Sequence, residues 1–392
     1  MESIKPADRV NDIKEYYFSR KLRELAQLNA EGAGIISLGI GGPDRAPAGN
    51  VIATLQKEAS DERNHSYQSY IGLPELRKAF SDWYEKNYGV KLNPDNEILP
   101  LIGSKEGILH ISLTFLNPGD GVLVPDPGYP TYTSVSRLVG AKIYNYDLKE
   151  ENGWLPDFEE LEKLPLDKIK LMWVNYPHMP TGKQADMETF RKIVEFGRKH
   201  NIVIAHDNPY SFILNKEPKS ILQVPGAIDI TVELNSLSKS HNMAGWRVAM
   251  AASNPTFISW ILKVKSNIDS GQFKPVMLAA SEALKLGKEW YEELYGVYEE
   301  RRKIAEEIMN TLECSFDPEQ KGLFLWGKVP DSIASGEKLA DDLFYKAKVF
   351  ITPGFIFGKN GEKYVRISLC AKPEMLRESL RRIKDFKSKI NE

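Results

Sequence analysis

Short apolar, β-branched runs alternate along the chain with longer stretches whose apolar residues recur every three or four positions. That rhythm predicts crossover units building a mainly parallel sheet. Residues 99–102, 121–124, 170–174, 202–206, 230–234 and 248–251 are each too short for a helix. They are bounded by Gly, Pro, Asn or Ser, so they read as buried strands. Residues 105–116 and 190–199 read as helices, the first opening directly after Gly103-Ser104. From about Lys288 the rhythm changes. Residues 289–312 are highly charged with apolar positions at helical spacing. Residues 323–329, 349–351 and 364–369 then read as strands, before a charged closing helix from Pro373. The pattern predicts an α/β chain with a large unit over residues 35–287 and a smaller α/β unit from residues 1–34 plus 288–392.

The length agrees, since 392 residues exceed what one hydrophobic core usually organises. A net charge of −2 gives no electrostatic case for nucleic acid or an anionic membrane as partner, so any basic site has to be local. No run of about 18 apolar residues is present to cross a bilayer, and the first residues lack an apolar export segment. Cys314 and Cys370 lie far apart without metal-ligand company, which supports neither a disulfide framework nor a metal site. Together these features predict a cytoplasmic protein.

In an open parallel sheet, ligands gather at the carboxyl ends of the strands, so the residues following each apolar run matter most. Asn175-Tyr176-Pro177-His178-Met179-Pro180-Thr181-Gly182 follows one run and Asp207-Asn208-Pro209-Tyr210 another. A third is followed by the segment 236–247, with Ser236, Ser238, Lys239 and Arg247. A lysine among small hydroxyls, eight positions before an arginine, suits a Schiff-base amine beside a bound phosphate. Partial burial and a nearby cation lower the amine pKa, and a guanidinium makes paired bonds to phosphate oxygens. In isolation such a serine-rich string also reads as surface loop. Asp207, closing an apolar run, is costly to bury unless it meets a cation such as the protonated ring nitrogen of a heterocycle. Ser104 and Lys105, opening a helix after Gly103, offer free backbone amides to an anion as well as ordinary N-cap chemistry. Tyr129, in the proline-set loop 125–130, presents a ring that can stack on a planar group.

Several motifs then match together and in order: Leu38-Gly39-Ile40-Gly41-Gly42-Pro43-Asp44, Tyr67 with Leu76-Arg77, Gly103-Ser104-Lys105-Glu106, Pro127-Gly128-Tyr129-Pro130, Pro180-Thr181-Gly182, Asp207 with Tyr210, the segment 236–247, and Val365-Arg366-Ile367-Ser368. On these the chain resembles the class I and II aminotransferases, the fold-type-I pyridoxal phosphate enzymes, over nearly its whole length. The resemblance implies an α/β fold and transfer of an amino group between an L-amino acid and a 2-oxo acid. Lys239 would hold pyridoxal 5'-phosphate as an internal aldimine, with Ser104, Lys105, Ser236, Ser238 and Arg247 around its phosphate, partly through backbone amides. Tyr129 would stack on the ring, Asp207 pair with the pyridine nitrogen and Tyr210 with the phenolic oxygen. Arg366 and the backbone at Gly41 would take the substrate α-carboxylate. Tyr67 would reach the cofactor phosphate of the neighbouring subunit, which implies a homodimer with its sites at the interface.

The chain departs from the family at Met179, where an asparagine usually donates to the phenolic oxygen and helps hold the carboxylate. A thioether cannot donate. Asn175 and His178 are the candidates to fill that place. The change keeps elimination, decarboxylation and oxidation open as alternative reactions on the same fold. A non-catalytic ligand sensor is a further alternative, and the lack of a basic helix-turn-helix extension counts against a DNA-binding one. Residues 266–273 are similar to the diaminopimelate, alanine and aspartate branch, without assigning a substrate side chain. Tyr16, Tyr17 and Phe18 read as a lid or as packing.

Overall fold

In the computed structural model, residues 4–11 and 17–391 are described; Tyr16 lies outside them. A short strand β1 (Ile36–Ser37) precedes a seven-stranded sheet of β2 (Ile98–Leu101), β3 (Gly121–Asp126), β4 (Lys142–Asp147), β5 (Ile169–Asn175), β6 (Val203–Asp207), β7 (Thr231–Ser236) and β8 (Ala249–Ala252). The spatial order is β2-β8-β7-β6-β5-β3-β4. β8 runs antiparallel to both neighbours and every other pair is parallel. Each expected run falls on one of these strands. β4 was not expected: it is an edge strand reading Lys-Ile-Tyr-Asn-Tyr-Asp with much of its length exposed, so no apolar run announces it.

Both faces of the sheet are covered, which is why its central strands read as continuous apolar runs. Within β3 the pleat sends Val122 and Val124 into one cluster, with Ile108 and Ile111 of the helix Ser104–Phe115. Leu123 points the other way, into the cluster that holds Phe190 and Ile193 of the helix Met187–His200.

Beyond the long helix Lys288–Thr311 come β9 (Phe324–Lys328), β10 (Val349–Phe350), β11 (Thr352–Pro353) and β12 (Tyr364–Ser368), then the closing helix Pro373–Asn391. β11, β12 and β9 form an antiparallel sheet, and β1 pairs in parallel with β10. These pairings set the site: Ser368 N donates to Leu38 O at 2.7 Å, so the loop after β1 runs beside β12. The helix Tyr17–Ala30 packs its Phe18 on Phe350, ring centroids 6.0 Å apart. Among the described residues, no helix is long and apolar enough to cross a membrane.

Candidate active site

β7, β6, β5 and β3 are consecutive neighbours, so their carboxyl ends bring Ser236, Asp207, Asn175 and the turn after Asp126 to one edge of the sheet. β9, β12 and the turn Gly354–Phe357 face that edge across a cleft of about 420 Å³. Gly41, Ser104, Lys105, Tyr129, Asn175, Asp207, Tyr210, Ser236, Ser238, Lys239, Arg247 and Arg366 all line it. Tyr67 does not. It stands 90% exposed on the surface.

Lys239 lies on the one-turn helix Leu237–Ser240 that follows β7, and its Nζ donates to Gly41 O at 2.6 Å. Burial lowers its pKa, and Arg247 and Arg366 push the same way against Cys370. A cluster of aromatic side chains, partly buried, fixes this turn from behind. Ser240 Oγ meets His241 Nδ1 at 2.8 Å, and Trp290 Nε1 donates to Ser240 O at 2.8 Å. Tyr291 Oη lies 3.2 Å from His241 Nε2 and accepts from Trp83 Nε1 at 2.8 Å.

Arg247 takes a left-handed backbone conformation with φ 58°, and its Nη1 donates to Ala244 O at 2.8 Å. Gly103, with φ +86°, lies so close that a Cβ there would run into the guanidinium. Ser104 Oγ is buried without a partner, and Ser236 Oγ accepts from Ser238 N at 3.1 Å. Lys105 is exposed and lines the cleft at the start of its helix, whose N-terminal dipole end favours an anion.

Asp207 closes β6. Its Oδ2 accepts from Tyr132 Oη at 2.9 Å, while its Oδ1 is buried with no partner. Burial pushes the carboxyl up to about 6, against the lowering effects of Tyr132 and His206. Tyr132 is itself stacked on Trp173 at 5.0 Å and meets Tyr129 edge-on at 5.5 Å. Asn175 Nδ2 donates to Asp207 O at 2.6 Å and its Oδ1 accepts from Met179 N at 2.8 Å.

Across the cleft, the Arg366 guanidinium lies 3.8 Å from the Phe324 ring and 4.6 Å from the Phe357 ring. Nη2 donates to Gly39 O at 3.1 Å, Nη1 meets Met179 Sδ at 3.2 Å, and Nε has no partner. Burial lowers its pKa to about 10, so it stays charged at neutral pH. No carboxylate among the described residues pairs with it. A cation so placed calls for an anionic ligand. The loop beside it is tied down by Arg301, whose two Nη atoms hold Asp44 at 2.8 and 3.0 Å. Gly41 is required there because a Cβ would strike the Phe324 ring.

His178 does not reach the cleft. It is buried, with Nδ1 on Thr181 Oγ1 at 2.8 Å and a pKa pushed down to about 3 by burial. Sequence reasoning passed over Tyr132, Arg301, Phe324 and Phe357, while Phe18, read as lid or packing, lines the cleft. Tyr132 was within reach, one helical turn beyond Tyr129, and Asp44 belongs to a quoted motif. The aromatic residues that flank Arg366 come from distant elements and carry no local signal.

These residues fit a phosphorylated pyridine. The buried, unpartnered Asp207 Oδ1 suits a ring cation. The unpartnered Ser104 Oγ and the Gly103 cradle against Arg247 suit a phosphate.

The comparisons with known proteins agree. A family model, aminotransferase class I and II, matches residues 33–383. Two curated relatives are named LL-diaminopimelate aminotransferase. The one from Dehalococcoides mccartyi is 41% identical, covering 98% of this chain and 100% of that protein. The one from Aquifex aeolicus is also 41% identical, covering 97% of this chain and 99% of that protein. Among solved structures, substrate-bound BacF from Bacillus subtilis superposes with a TM-score of 0.93 at 34% identity, covering 98% of each chain.

Proposed function

Because this chain belongs to the class I and II aminotransferase family, we propose that Lys239 carries its cofactor, that Asp207 and Tyr210 complete the reacting centre, and that Arg366 holds the substrate α-carboxylate. The enzyme is a pyridoxal 5'-phosphate-dependent aminotransferase, moving an amino group between an L-amino acid and a 2-oxo acid. When bound, the cofactor supplies an aldehyde that receives the amino group and a ring that takes up electrons from the substrate Cα.

The protein's own groups do the rest. Asp207, whose carboxylate is costly to bury without a cation, would pair with the ring nitrogen and keep it protonated, while Tyr132 holds its Oδ2. Arg247, Ser104, Ser236, Ser238 and the amides at Lys105 anchor the phosphate, and Tyr129 covers one ring face. Tyr210 and Asn175, which line the cleft, would meet the phenolic oxygen. Lys239 Nζ, whose pKa burial lowers, would serve as the base that holds and moves the substrate Cα proton. Arg366 and the backbone at Gly41 would hold the substrate α-carboxylate and so fix which Cα bond stands perpendicular to the ring. The observation that carries this reading is the buried guanidinium of Arg366, without a carboxylate partner among the described residues, across the cleft from Lys239 and Asp207.

Spectra of the half-reaction test it. An amino acid should discharge the visible band of the wild type without ammonia release or oxygen uptake. Arg366→Lys should lower the donor's kcat/KM about a hundredfold without changing cofactor affinity, since an ammonium cannot replace a fork of donors. In Lys239→Ala, borohydride should no longer fix the cofactor to the chain. Turnover retained in Lys239→Ala would overturn the reading.

The exposed Tyr67 supports a homodimer in which it reaches the neighbouring site. Two unpaired cysteines, Cys314 and Cys370, support a reducing cytoplasm. The sheet within residues 98–252 and the smaller sheet within 324–368 support a large unit of 35–287 and a small one of 1–34 plus 288–392. For the amino donor, the names of the curated relatives support LL-diaminopimelate.

A further inference from the structure

His206 precedes Asp207 on β6, so its side chain points to the opposite face of the sheet, where it packs on Phe190 with ring centroids 5.1 Å apart. There it stands in register with Glu233 of β7, and both side chains are wholly buried. His206 Nδ1 meets Glu233 Oε2 at 2.7 Å and Nε2 meets Tyr176 O at 3.1 Å. A carbonyl oxygen only accepts, so Nε2 carries a hydrogen. The hydrogen between Nδ1 and Oε2 has two seats, and the other partners of Glu233 decide between them. Its Oε1 accepts from Tyr84 Oη at 2.7 Å and from Ser220 Oγ at 2.8 Å, and its Oε2 accepts from Ile221 N at 3.2 Å. Three such donors favour the ionised carboxylate, which leaves the hydrogen on Nδ1 and makes the ring a cation. Tyr84, Tyr88 and Tyr176 lie around the pair, and burial raises the pKa of each, so none of them adds a charge.

Burying two ions forfeits their hydration, and an apolar pair of similar volume would hold a sheet together as well. What this pair adds is a charge beside Asp207 and a fixed strand end. Burial raises the Asp207 pKa, and Tyr132 and His206 work against it. The hydrogen on Nε2 ties His206 to the carbonyl of Tyr176, next to Asn175, whose own amide donates to Asp207 O at 2.6 Å. We propose that His206 and Glu233 are positioning residues of the reaction, an ionised pair whose cationic end keeps Asp207 an anion, and in place, for the ring nitrogen of the cofactor. This rests on the reading of Asp207 as the partner of that nitrogen.

Nitrogen-15 magnetic resonance of the holoenzyme tests it, with labelled histidine in the chain and a labelled pyridine nitrogen in the cofactor. The His206 signals are identified by their loss in the double variant His206→Gln, Glu233→Gln, which is neutral at both positions. Near neutral pH, both His206 nitrogens and the cofactor nitrogen of the wild type should carry hydrogens. Glu233→Gln keeps the shape and removes the charge, so its amide can donate to Nδ1 and His206 should show one bare nitrogen. The cofactor nitrogen should then shift towards its unprotonated position, and kcat should fall about tenfold with KM held within about twofold, because Arg366 is untouched. The double variant, which leaves no charge unpaired, should show the same changes in cofactor signal and kcat, and it decides the matter where Glu233→Gln does not fold. A bare His206 nitrogen in the wild type overturns the ionised pair. An unchanged cofactor nitrogen, or an unchanged kcat, in a folded neutral variant overturns the link to Asp207 and leaves the reading of Asp207 standing. A cofactor nitrogen without a hydrogen in the wild type overturns that reading, and the inference with it.

Discussion

Met179 changes what its neighbours can do. Its backbone N–H is held by Asn175 and its sulfur lies on Arg366 Nη1, so the position supports the guanidinium but offers no side-chain donor to the cofactor's phenolic oxygen. Of the two residues expected to fill that gap, Asn175 lines the cleft and His178 turns away to Thr181. Restoring a donor with Met179→Asn should stabilise the deprotonated form of the cofactor. The pH midpoint of the visible band should fall by about one unit, the size of one hydrogen bond to a charged oxygen. Absorbance titration of wild type and variant decides this; an unmoved midpoint removes the argument. Asp207 makes a second prediction at this scale. Its folded pKa of about 6 lies above the free value of 3.8, so the folded protein binds that proton more tightly than the unfolded chain. In cofactor-free protein, stability is therefore favoured below that window and is given up as pH rises through it, by about 3 kcal/mol once above pH 6. Asp207→Asn has no such proton to lose. Urea unfolding of the two cofactor-free proteins should show their stability difference moving in the variant's favour between about pH 4 and pH 7. Excess cofactor should shrink that change in the wild type by giving Asp207 its cation.

At the scale of elements, the site depends on how two backbone segments meet. The helix Ser104–Phe115 begins at Gly103, whose positive φ both turns the chain and leaves room for Arg247 from the loop after the lysine. Gly103→Ala should raise the cofactor dissociation constant about tenfold or more by displacing the guanidinium, with the far-ultraviolet circular dichroism unchanged. Equal affinity in the variant would show that Arg247 does not anchor the phosphate. The same elements show what the sequence could reveal. β3, β5, β6 and β7 are buried on both faces and so read as apolar runs, and the residues closing them, Asn175, Asp207 and Ser236, were legible as a site because parallel strands end on one edge. β4 escaped because an edge strand with exposed positions need not be apolar. The clasp of Phe324 and Phe357 on Arg366 escaped for a different reason. It joins β9, a turn and β12, and nothing local to any of the three encodes their meeting.

At the scale of the whole molecule, the cleft collects every expected site residue of this chain except Tyr67 and the alternative His178, and the setting of Tyr67 explains why a partner is expected. Its loop is held in place from below: Lys265 Nζ donates to Tyr70 O at 3.3 Å and to Asp269 at 2.7 Å, and His65 packs on Phe273 at 5.6 Å. Tyr67, Tyr70, Ile268 and Phe273 nevertheless leave their large side chains exposed together around that loop. A fixed loop that presents tyrosine and apolar side chains outward suits docking against a second copy, whose phosphate site Tyr67 would complete. Hybrid dimers test the claim directly. Lys239→Ala lacks its own amine but still offers Tyr67 to its neighbour; Tyr67→Ala keeps the amine but offers nothing. In a hybrid of the two, one of the two sites has both groups. Refolding an equal mixture makes half the dimers hybrid, so activity should return to roughly a quarter of wild type, under cofactor concentrations at which each variant alone is nearly inactive. If Tyr67 served its own subunit, the site carrying Lys239 would always lack the tyrosine, and mixing would restore nothing.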